Sequence, residues 1–211
     1  MEILFISDYV CPYCLVAKEA LHRALKKLGM EAHIVYQPHE LTPAPKERVD
    51  TYHDQRRRAG YQVLLEPCRQ MALPMKLPPR VIPRPYTRLA FEGWFYACAQ
   101  GKGEEYNDAV YRAYFIQEQD IGEIPVLASI AEQVGLDPVD FTRALKEGRY
   151  TEKEHQAVEY TRNVLKPQGV PTIYVDGKQL SLRDYTEAEM LQALNDAAFT
   201  TSPRFCGVDG C

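Results

Sequence analysis

The feature that most constrains the fold of this chain is a pair of cysteines placed between a buried strand and a helix. They are the ends of the tetrapeptide Cys11-Pro12-Tyr13-Cys14. The apolar run at residues 3–6 does not alternate with polar residues, which is typical of a parallel strand covered on both faces. After the tetrapeptide, apolar residues recur at helical spacing as far as Gly29, which ends the pattern. The sequence therefore predicts strand, cysteine pair and helix in that order.

The remainder of the chain alternates in character. Residues 31–37 form a second predicted strand, so that the first forty residues contain a β-α-β unit with parallel strands. Between residues 46 and 145 the sequence predicts no strand and only helices, interrupted by prolines. These helical patterns cover residues 49–59, 63–73, 87–99, 106–118, 125–134 and 141–146.

Strand signals return near the C-terminus. A helix is predicted over residues 151–165, and Asp176-Gly177 predicts a hairpin between short strands at 172–175 and 178–182. A capping pair, Thr186 and Glu189, opens a last helix. Without the helical middle, the element order is that of a thioredoxin fold. We therefore predict an α/β thioredoxin fold with a large all-helical insertion.

The predicted domain boundaries follow from this order of elements. The thioredoxin-like domain comprises residues 1–41 and 150–198. The inserted helical subdomain comprises residues 42–149, and a cysteine-containing tail comprises residues 199–211.

The tetrapeptide predicts thiol–disulfide chemistry. Free N–H groups and the dipole at a helix N-terminus stabilise a thiolate, and a Cys-x-x-Cys context does the same. We therefore expect Cys11 to be an exposed nucleophile. Cys14 lies one turn further along the same helical face, where it can resolve a mixed disulfide formed on Cys11. Pro12 and Tyr13 lie between the two sulfurs and are candidate substrate contacts that tune the redox potential.

A second motif, Gly169-Val170-Pro171-Thr172, lies directly before the third predicted strand. We expect the Val170–Pro171 peptide bond to be cis. Such a bond leaves the backbone of Val170 free to pair with an extended substrate segment beside Cys11. Val170 and Pro171 are therefore predicted to bind substrate.

These motifs in combination resemble the DsbA-like thioredoxin superfamily over residues 1–198. Within it, the chain is similar to the FrnE-like branch, described together with 2-hydroxychromene-2-carboxylate isomerases and kappa-class glutathione transferases. The resemblance implies that Cys11 is the nucleophile, Cys14 the resolving thiol and Pro171 the cis-proline. It implies a protein disulfide oxidoreductase that exchanges disulfides with protein or small thiol substrates.

The same resemblance leaves an alternative open, namely a glutathione-dependent isomerase or transferase. Those relatives typically carry serine at the position of Cys11 and use bound glutathione. Both cysteines are present here, which favours dithiol exchange without a tightly bound cofactor and with glutathione as a candidate co-substrate.

Composition excludes several other classes. The chain has 25 lysine and arginine residues against 29 aspartate and glutamate residues, a net charge of −4. Mildly acidic proteins are poor nucleic-acid binders. No apolar run approaches the roughly 18 residues of a membrane span, and the N-terminus lacks the basic and apolar regions of a secretory signal. We therefore expect a cytoplasmic protein with no nucleic-acid or membrane partner.

The other cysteines allow several interpretations. Cys206 and Cys211 form a candidate second redox pair in the tail, with metal binding or no function as alternatives. A zinc site shared between this pair and the tetrapeptide would instead indicate a binding module, whereas the redox interpretation requires no metal. Cys68 and Cys98 lie in apolar helical patterns and are predicted to belong to the core.

Overall fold

The computed structural model describes residues 1–201, which contain a four-stranded mixed sheet and its surrounding helices. The strands are β1 (Glu2–Ser7), β2 (His33–Pro38), β3 (Thr172–Val175) and β4 (Lys178–Gln179). The α-helices are α1 (Pro12–Leu28), α2 (Gln55–Tyr61), α3 (Leu65–Gln70), α4 (Arg88–Ala99), α5 (Gly103–Phe115), α6 (Ile124–Gln133), α7 (Pro138–Lys146), α8 (Thr151–Tyr160) and α9 (Glu187–Thr201). A 3-10 turn (Gln62–Leu64) joins α2 to α3, and a π-helical turn (Thr161–Leu165) extends α8.

The strand order is β2-β1-β3-β4, with β1 at the centre. β1 is parallel to β2 and antiparallel to β3, and β3 and β4 form the predicted hairpin. Ile3, Phe5 and Ile6 are fully buried, so both faces of β1 are covered, as its continuous apolar run predicts. This is the predicted thioredoxin architecture.

The helix α1 follows directly from its sequence. Pro12 occupies its first residue, where the missing N–H costs no helical hydrogen bond. Gly29 ends it in the left-handed region (φ 62°), and the N–H of Met30 donates to the carbonyl of Leu25 (3.0 Å). One face buries Val16, Ala17, Ala20, Leu21 and Ala24 in the core.

The other sheet helices pack as the thioredoxin order requires. α8 and its π-helical extension pack against β2: the Thr161 hydroxyl donates to the carbonyl of Pro38 (2.8 Å), and the Gln37 amide donates to that of Ala157 (2.7 Å). α9 packs beside α1 and buries Met190 and Leu194 completely.

All the regular secondary structure between residues 42 and 149 is helical, as expected for a helical insertion, and irregular stretches cover residues 42–54 and 71–87. Its core is rich in aromatic rings from α5 and α7, among them Tyr106, Tyr111 and Phe141. Gly93 on α4 allows this packing, because a side chain there would collide with Tyr106 and Phe141. In this core, aromatic rings therefore pack directly against the backbone of α4 at Gly93.

A buried ion pair joins the insertion to α1. Lys18 is 3% exposed in its side chain and contacts Glu104 (2.7 Å) and Asp108 on α5. The Tyr36 hydroxyl also donates to Glu104 (3.0 Å). Burial raises the pKa of Glu104, but the hydrogen bond with His22 and the charge of Lys18 outweigh it and bring that pKa to about 2. Glu104 is therefore ionised and holds the two parts of the molecule together.

The helices predicted over 106–118 and 141–146 each begin three residues earlier, at Gly103 and Pro138, and two further predicted helices differ more. The pattern over 49–59 predicts one helix, but the chain turns first, because the Asp50 carboxylate accepts the N–H groups of Tyr52 and His53. The helix begins only after Asp54, which caps it by accepting the N–H of Arg57 (3.0 Å). The pattern over 63–73 is divided into the 3-10 turn and α3.

Candidate active site

The two cysteines of the tetrapeptide lie at the front end of α1. Cys11 immediately precedes the first helical residue and has extended backbone angles (φ −91°, ψ 112°). Its N–H donates to the carbonyl of Asp8 (3.1 Å), and the N–H of Cys14 donates to the carbonyl of Cys11 (3.1 Å). The Cys11 sulfur therefore lies at the helix terminus that favours negative charge. Neither cysteine is in a disulfide.

The second motif meets the first at the same edge of the sheet. The Val170–Pro171 bond is cis, as predicted. The Cys11 thiol donates to the carbonyl oxygen of Val170 across 3.4 Å, although 159 positions separate them in the sequence. Pairing of Ile6 with Thr172 between β1 and β3 produces this meeting. The two motifs therefore form one site.

The expectation of an exposed Cys11 is wrong, because only 4% of the residue is accessible. Beside the two cysteines, the rings of Tyr61 and Tyr185 flank the ring of Tyr13 at centroid distances of 6.5 and 5.7 Å. Burial raises the pKa of each phenol, and the charge of Cys11 raises it further. We call Tyr13, Tyr61 and Tyr185 the tyrosine cap.

Cys14 is more deeply buried than Cys11, with no accessible surface. Burial raises the pKa of its thiol, and the hydrogen bond to Cys11 and the charge of Cys11 raise it further. Cys14 therefore holds its proton more firmly than an ordinary cysteine does, whereas the Cys11 sulfur contacts the loop at Val170.

A groove of about 340 Å³ runs beside the cap. Val170, whose carbonyl contacts the Cys11 sulfur, lines it together with Pro171 and Tyr185. Its other lining residues are mostly neutral and polar or apolar: Gln168, Gly169, Thr172, Ile173, Gln179, Leu180, Ser181 and Leu182. The predicted contacts Val170 and Pro171 line this groove, whereas Pro12 and Tyr13 belong to the tetrapeptide.

Two buried charges near the site were not predicted. Asp8 is fully buried, its carboxylate accepts the N–H of Leu41 (2.7 Å), and burial raises its pKa. Arg84 is 5% exposed, donates to the Thr42 hydroxyl (2.5 Å), and lowers the pKa of both Asp8 and Tyr61 against the larger effect of burial. The sequence feature that could have indicated Asp8 is the placement of an acidic residue between a buried strand and the tetrapeptide.

The remaining cysteines lie away from the tetrapeptide or outside the described residues. Cys68 is buried, as predicted, but Cys98 is exposed, because it lies in the last turn of α4. Cys206 and Cys211 fall outside residues 1–201.

Within residues 1–201, no group of three or more histidine, cysteine, aspartate or glutamate side chains is arranged to hold a metal ion. None of the helices there has the length and apolar content to cross a bilayer.

Comparison with known families agrees with this geometry. The model of the DSBA-like thioredoxin domain family matches residues 2–197, so the chain belongs to that family. The uncharacterized protein YwbO of Bacillus subtilis strain 168 is 36% identical over 176 residues, which are 83% of this chain and 86% of YwbO.

Three solved structures share the fold. The probable DsbA oxidoreductase SCO1869 of Streptomyces coelicolor has a TM-score of 0.77 at 23% identity, covering 100% of this chain and 98% of that one. A 2-hydroxychromene-2-carboxylate isomerase has a TM-score of 0.71 at 17% identity, covering 96% and 100%. The cytosolic disulfide reductase DsbM of Pseudomonas aeruginosa, solved with GSH, has a TM-score of 0.69 at 16% identity, covering 94% and 100%.

Proposed function

We propose that this chain is a thiol–disulfide oxidoreductase that uses the Cys11–Cys14 dithiol on protein or low-molecular-weight thiol substrates. The observation that carries the proposal is the 3.4 Å contact between the Cys11 sulfur and the Val170 carbonyl at the front of α1. A sulfur there lies at a helix terminus that favours negative charge and beside backbone that can pair with an extended substrate. Membership of the DSBA-like family supports redox chemistry at this site.

The proposed reaction has two exchange steps. The Cys11 thiolate attacks one sulfur of a substrate disulfide, forms a mixed disulfide, and releases the other sulfur as a thiolate. Cys14 then loses its proton, attacks the Cys11 sulfur, and releases the second thiol. The enzyme dithiol is oxidised by two electrons and the substrate disulfide is reduced by two. The reverse sequence oxidises a substrate dithiol.

The surroundings of the dithiol support particular roles. Val170 and Pro171 offer backbone to the substrate, and Pro12 and Tyr13 fix the spacing and environment of the two sulfurs. No tightly bound cofactor is needed for these steps. The disulfide reductase DsbM was solved with GSH, which supports a low-molecular-weight thiol as the reductant that regenerates the dithiol here. We place this activity in the cytoplasm.

Single-cysteine variants test the proposal. In an assay of thiol–disulfide exchange, we expect Cys11→Ser to lose activity and Cys14→Ser to accumulate a mixed disulfide that mass spectrometry detects. Cys98→Ser is the matched control, because Cys98 is an exposed cysteine on α4 outside the site. Equal activity of the wild type and Cys11→Ser would refute the proposed function.

A glutathione-dependent isomerase or transferase is the second candidate. The groove beside Val170 favours it, because about 340 Å³ suits a small-molecule ligand. This candidate predicts saturable glutathione binding and turnover that survives Cys14→Ala. Dithiol exchange predicts that the same substitution stops turnover at the mixed disulfide.

A further inference from the structure

We propose that the tyrosine cap is a substrate filter that admits low-molecular-weight disulfides to Cys11 and excludes protein disulfides while it is closed. The inference rests on the proposed function and narrows its substrate class. Its starting point is that Cys11 is only 4% exposed and shares its tetrapeptide with Tyr13, whose ring packs against those of Tyr61 and Tyr185. A sulfur covered in this way cannot meet a disulfide that is embedded in a folded chain.

The cap is closed by a hydrogen bond between the two parts of the molecule. The hydroxyl of Tyr13, in the tetrapeptide, donates to the carbonyl of Gly60 on α2 (2.8 Å). Residues 55–60 of this short helix are exposed, and only Tyr61 is buried. The contact of α2 with Tyr13 therefore depends on the Tyr61 ring and on the Gly60 carbonyl.

The opposite side of the cap is anchored. The carboxylate of Glu189 accepts the N–H groups of Arg183 (2.6 Å), Asp184 (2.9 Å) and Tyr185 (2.9 Å). Tyr185 itself has φ 54°, in the left-handed region that favours glycine. A tyrosine held in this conformation points its ring at Tyr13, so the cap has one fixed side and one side that can open with α2.

The groove provides the route that stays open. It extends from Tyr185 along the loop at Val170, whose carbonyl accepts the Cys11 thiol. A volume of about 340 Å³ accommodates a small disulfide but not the chains on both sides of a protein disulfide. Both kinds of substrate undergo the same two-electron exchange described above, so the cap alters access and not the chemistry.

The test is a single-turnover measurement that needs no regenerating reductant. The pre-reduced protein is mixed without oxygen with excess bis(2-hydroxyethyl) disulfide or with insulin, and the loss of Cys11 and Cys14 thiols is followed by alkylation and mass spectrometry. The quantity compared is the insulin rate constant divided by the small-disulfide rate constant. A change in dithiol potential alters both constants, whereas the cap alters their ratio.

Two variants open the cap in different ways. Tyr185→Gly removes the fixed ring at a position whose backbone suits glycine, and Tyr13→Phe removes only the hydroxyl bonded to Gly60. We expect Tyr185→Gly to raise the ratio about tenfold. A change of that size results when an open state populated at about one part in ten becomes the dominant state. We expect Tyr13→Phe to raise the ratio in the same direction.

Tyr86→Phe is the matched control, because the Tyr86 hydroxyl also donates to a backbone carbonyl, that of Lys46 (2.7 Å), away from the cysteines. Its ratio should equal that of the wild type. An unchanged ratio in both cap variants, with their circular dichroism spectra native, overturns the filter but leaves the proposed function standing. Failure of the wild type to lose thiols with either disulfide overturns the proposed function, and the filter with it.

Discussion

Asp8 shows how one buried residue can affect the chemistry of a neighbouring thiol. It is fully buried and accepts the N–H of Leu41 (2.7 Å), so its carboxylate is fixed in place. Burial of Cys14 is the main cause that raises the pKa of that thiol, and contact with Cys11 is the next. The backbone of Asp8 lowers this pKa, whereas the charge of the Asp8 side chain raises it by the smallest of these effects. The side-chain charge of Asp8 therefore adds a small part to the retention of the Cys14 proton.

Asp8→Asn tests this influence. Removing the negative charge removes one cause of the raised pKa of Cys14, so we expect the resolving step to reach its full rate at lower pH than in the wild type. The measurement is the rate of resolution of a preformed mixed disulfide on Cys11 as a function of pH. Asp50→Asn is the control, because Asp50 lies on the surface near His53. A profile that is unchanged or shifted to higher pH would contradict this role.

The residues of the site differ in how far the sequence predicts them. Cys11, Cys14 and Pro171 lie in short motifs whose geometry is local, so their positions could be predicted. Tyr61 and Tyr185 contact Tyr13 only because α2 and the loop before α9 pack against the front of α1. No local pattern encodes that packing, and the burial of Cys11 was missed for the same reason.

At the scale of elements, α1 connects the sheet to the insertion. Its buried face carries one charge, Lys18, which contacts Glu104 and Asp108 on α5. The two carboxylates are 45% and 53% exposed in their side chains, so their desolvation is limited while the ammonium is sealed between the helices. The contact therefore contributes to the docking of α5 on α1 more than a surface ion pair would.

Lys18→Met tests the strength of this contact. Methionine keeps most of the apolar stem but loses the charge-assisted hydrogen bonds, so we expect the free energy of unfolding to fall by about 2 kcal/mol. Urea unfolding followed by circular dichroism measures it. Lys26→Met on the exposed side of α1 should change stability little. A stability loss in Lys18→Met no larger than in this control would refute the role of the ion pair.

The elements differ in predictability for a physical reason. β1 and β3 have the predicted bounds because continuous apolar runs end in turn residues. The helix predicted over 49–59 is shorter because the carboxylates of Asp50 and Asp54 compete for backbone N–H groups in that segment. Apolar periodicity does not reveal this competition between side chains and backbone.

At the scale of the whole molecule, a cluster of two buried acids and one half-buried acid lies where the sheet, the insertion and α8 meet. Glu40, Glu92 and Glu154 come from these three parts, and a cavity of about 210 Å³ is lined by Glu40 and Glu154 together with Arg88, His155 and Arg162. Burial raises the pKa of Glu154 to about 8, with the charges of Glu40 and Glu92 adding to it and Arg88 opposing it. Burial likewise raises the pKa of Glu40 to about 7.

These acids make the stability of the folded chain fall as the pH rises. The pKa of Glu154 is about 8 in the folded chain against 4.5 for an ordinary glutamate, so between these values the folded state holds a proton that the unfolded state has lost. The contribution of protonated Glu154 to the free energy of unfolding is therefore complete below about pH 4.5 and is lost as the pH rises through about 8.

Glu154→Gln should remove much of this dependence, because glutamine resembles the protonated acid at every pH. We expect the variant to match the wild type near pH 5 and to exceed its stability by about 2 kcal/mol near pH 9, less than the full shift implies because the cavity admits solvent. Urea unfolding at both pH values measures the difference. Glu152→Gln, an exposed acid on the same helix, should leave the wild-type dependence intact. If Glu154→Gln and the wild type lose stability equally as the pH rises, the buried cluster does not set the pH response, and the source must lie among the other acids of this net-negative chain.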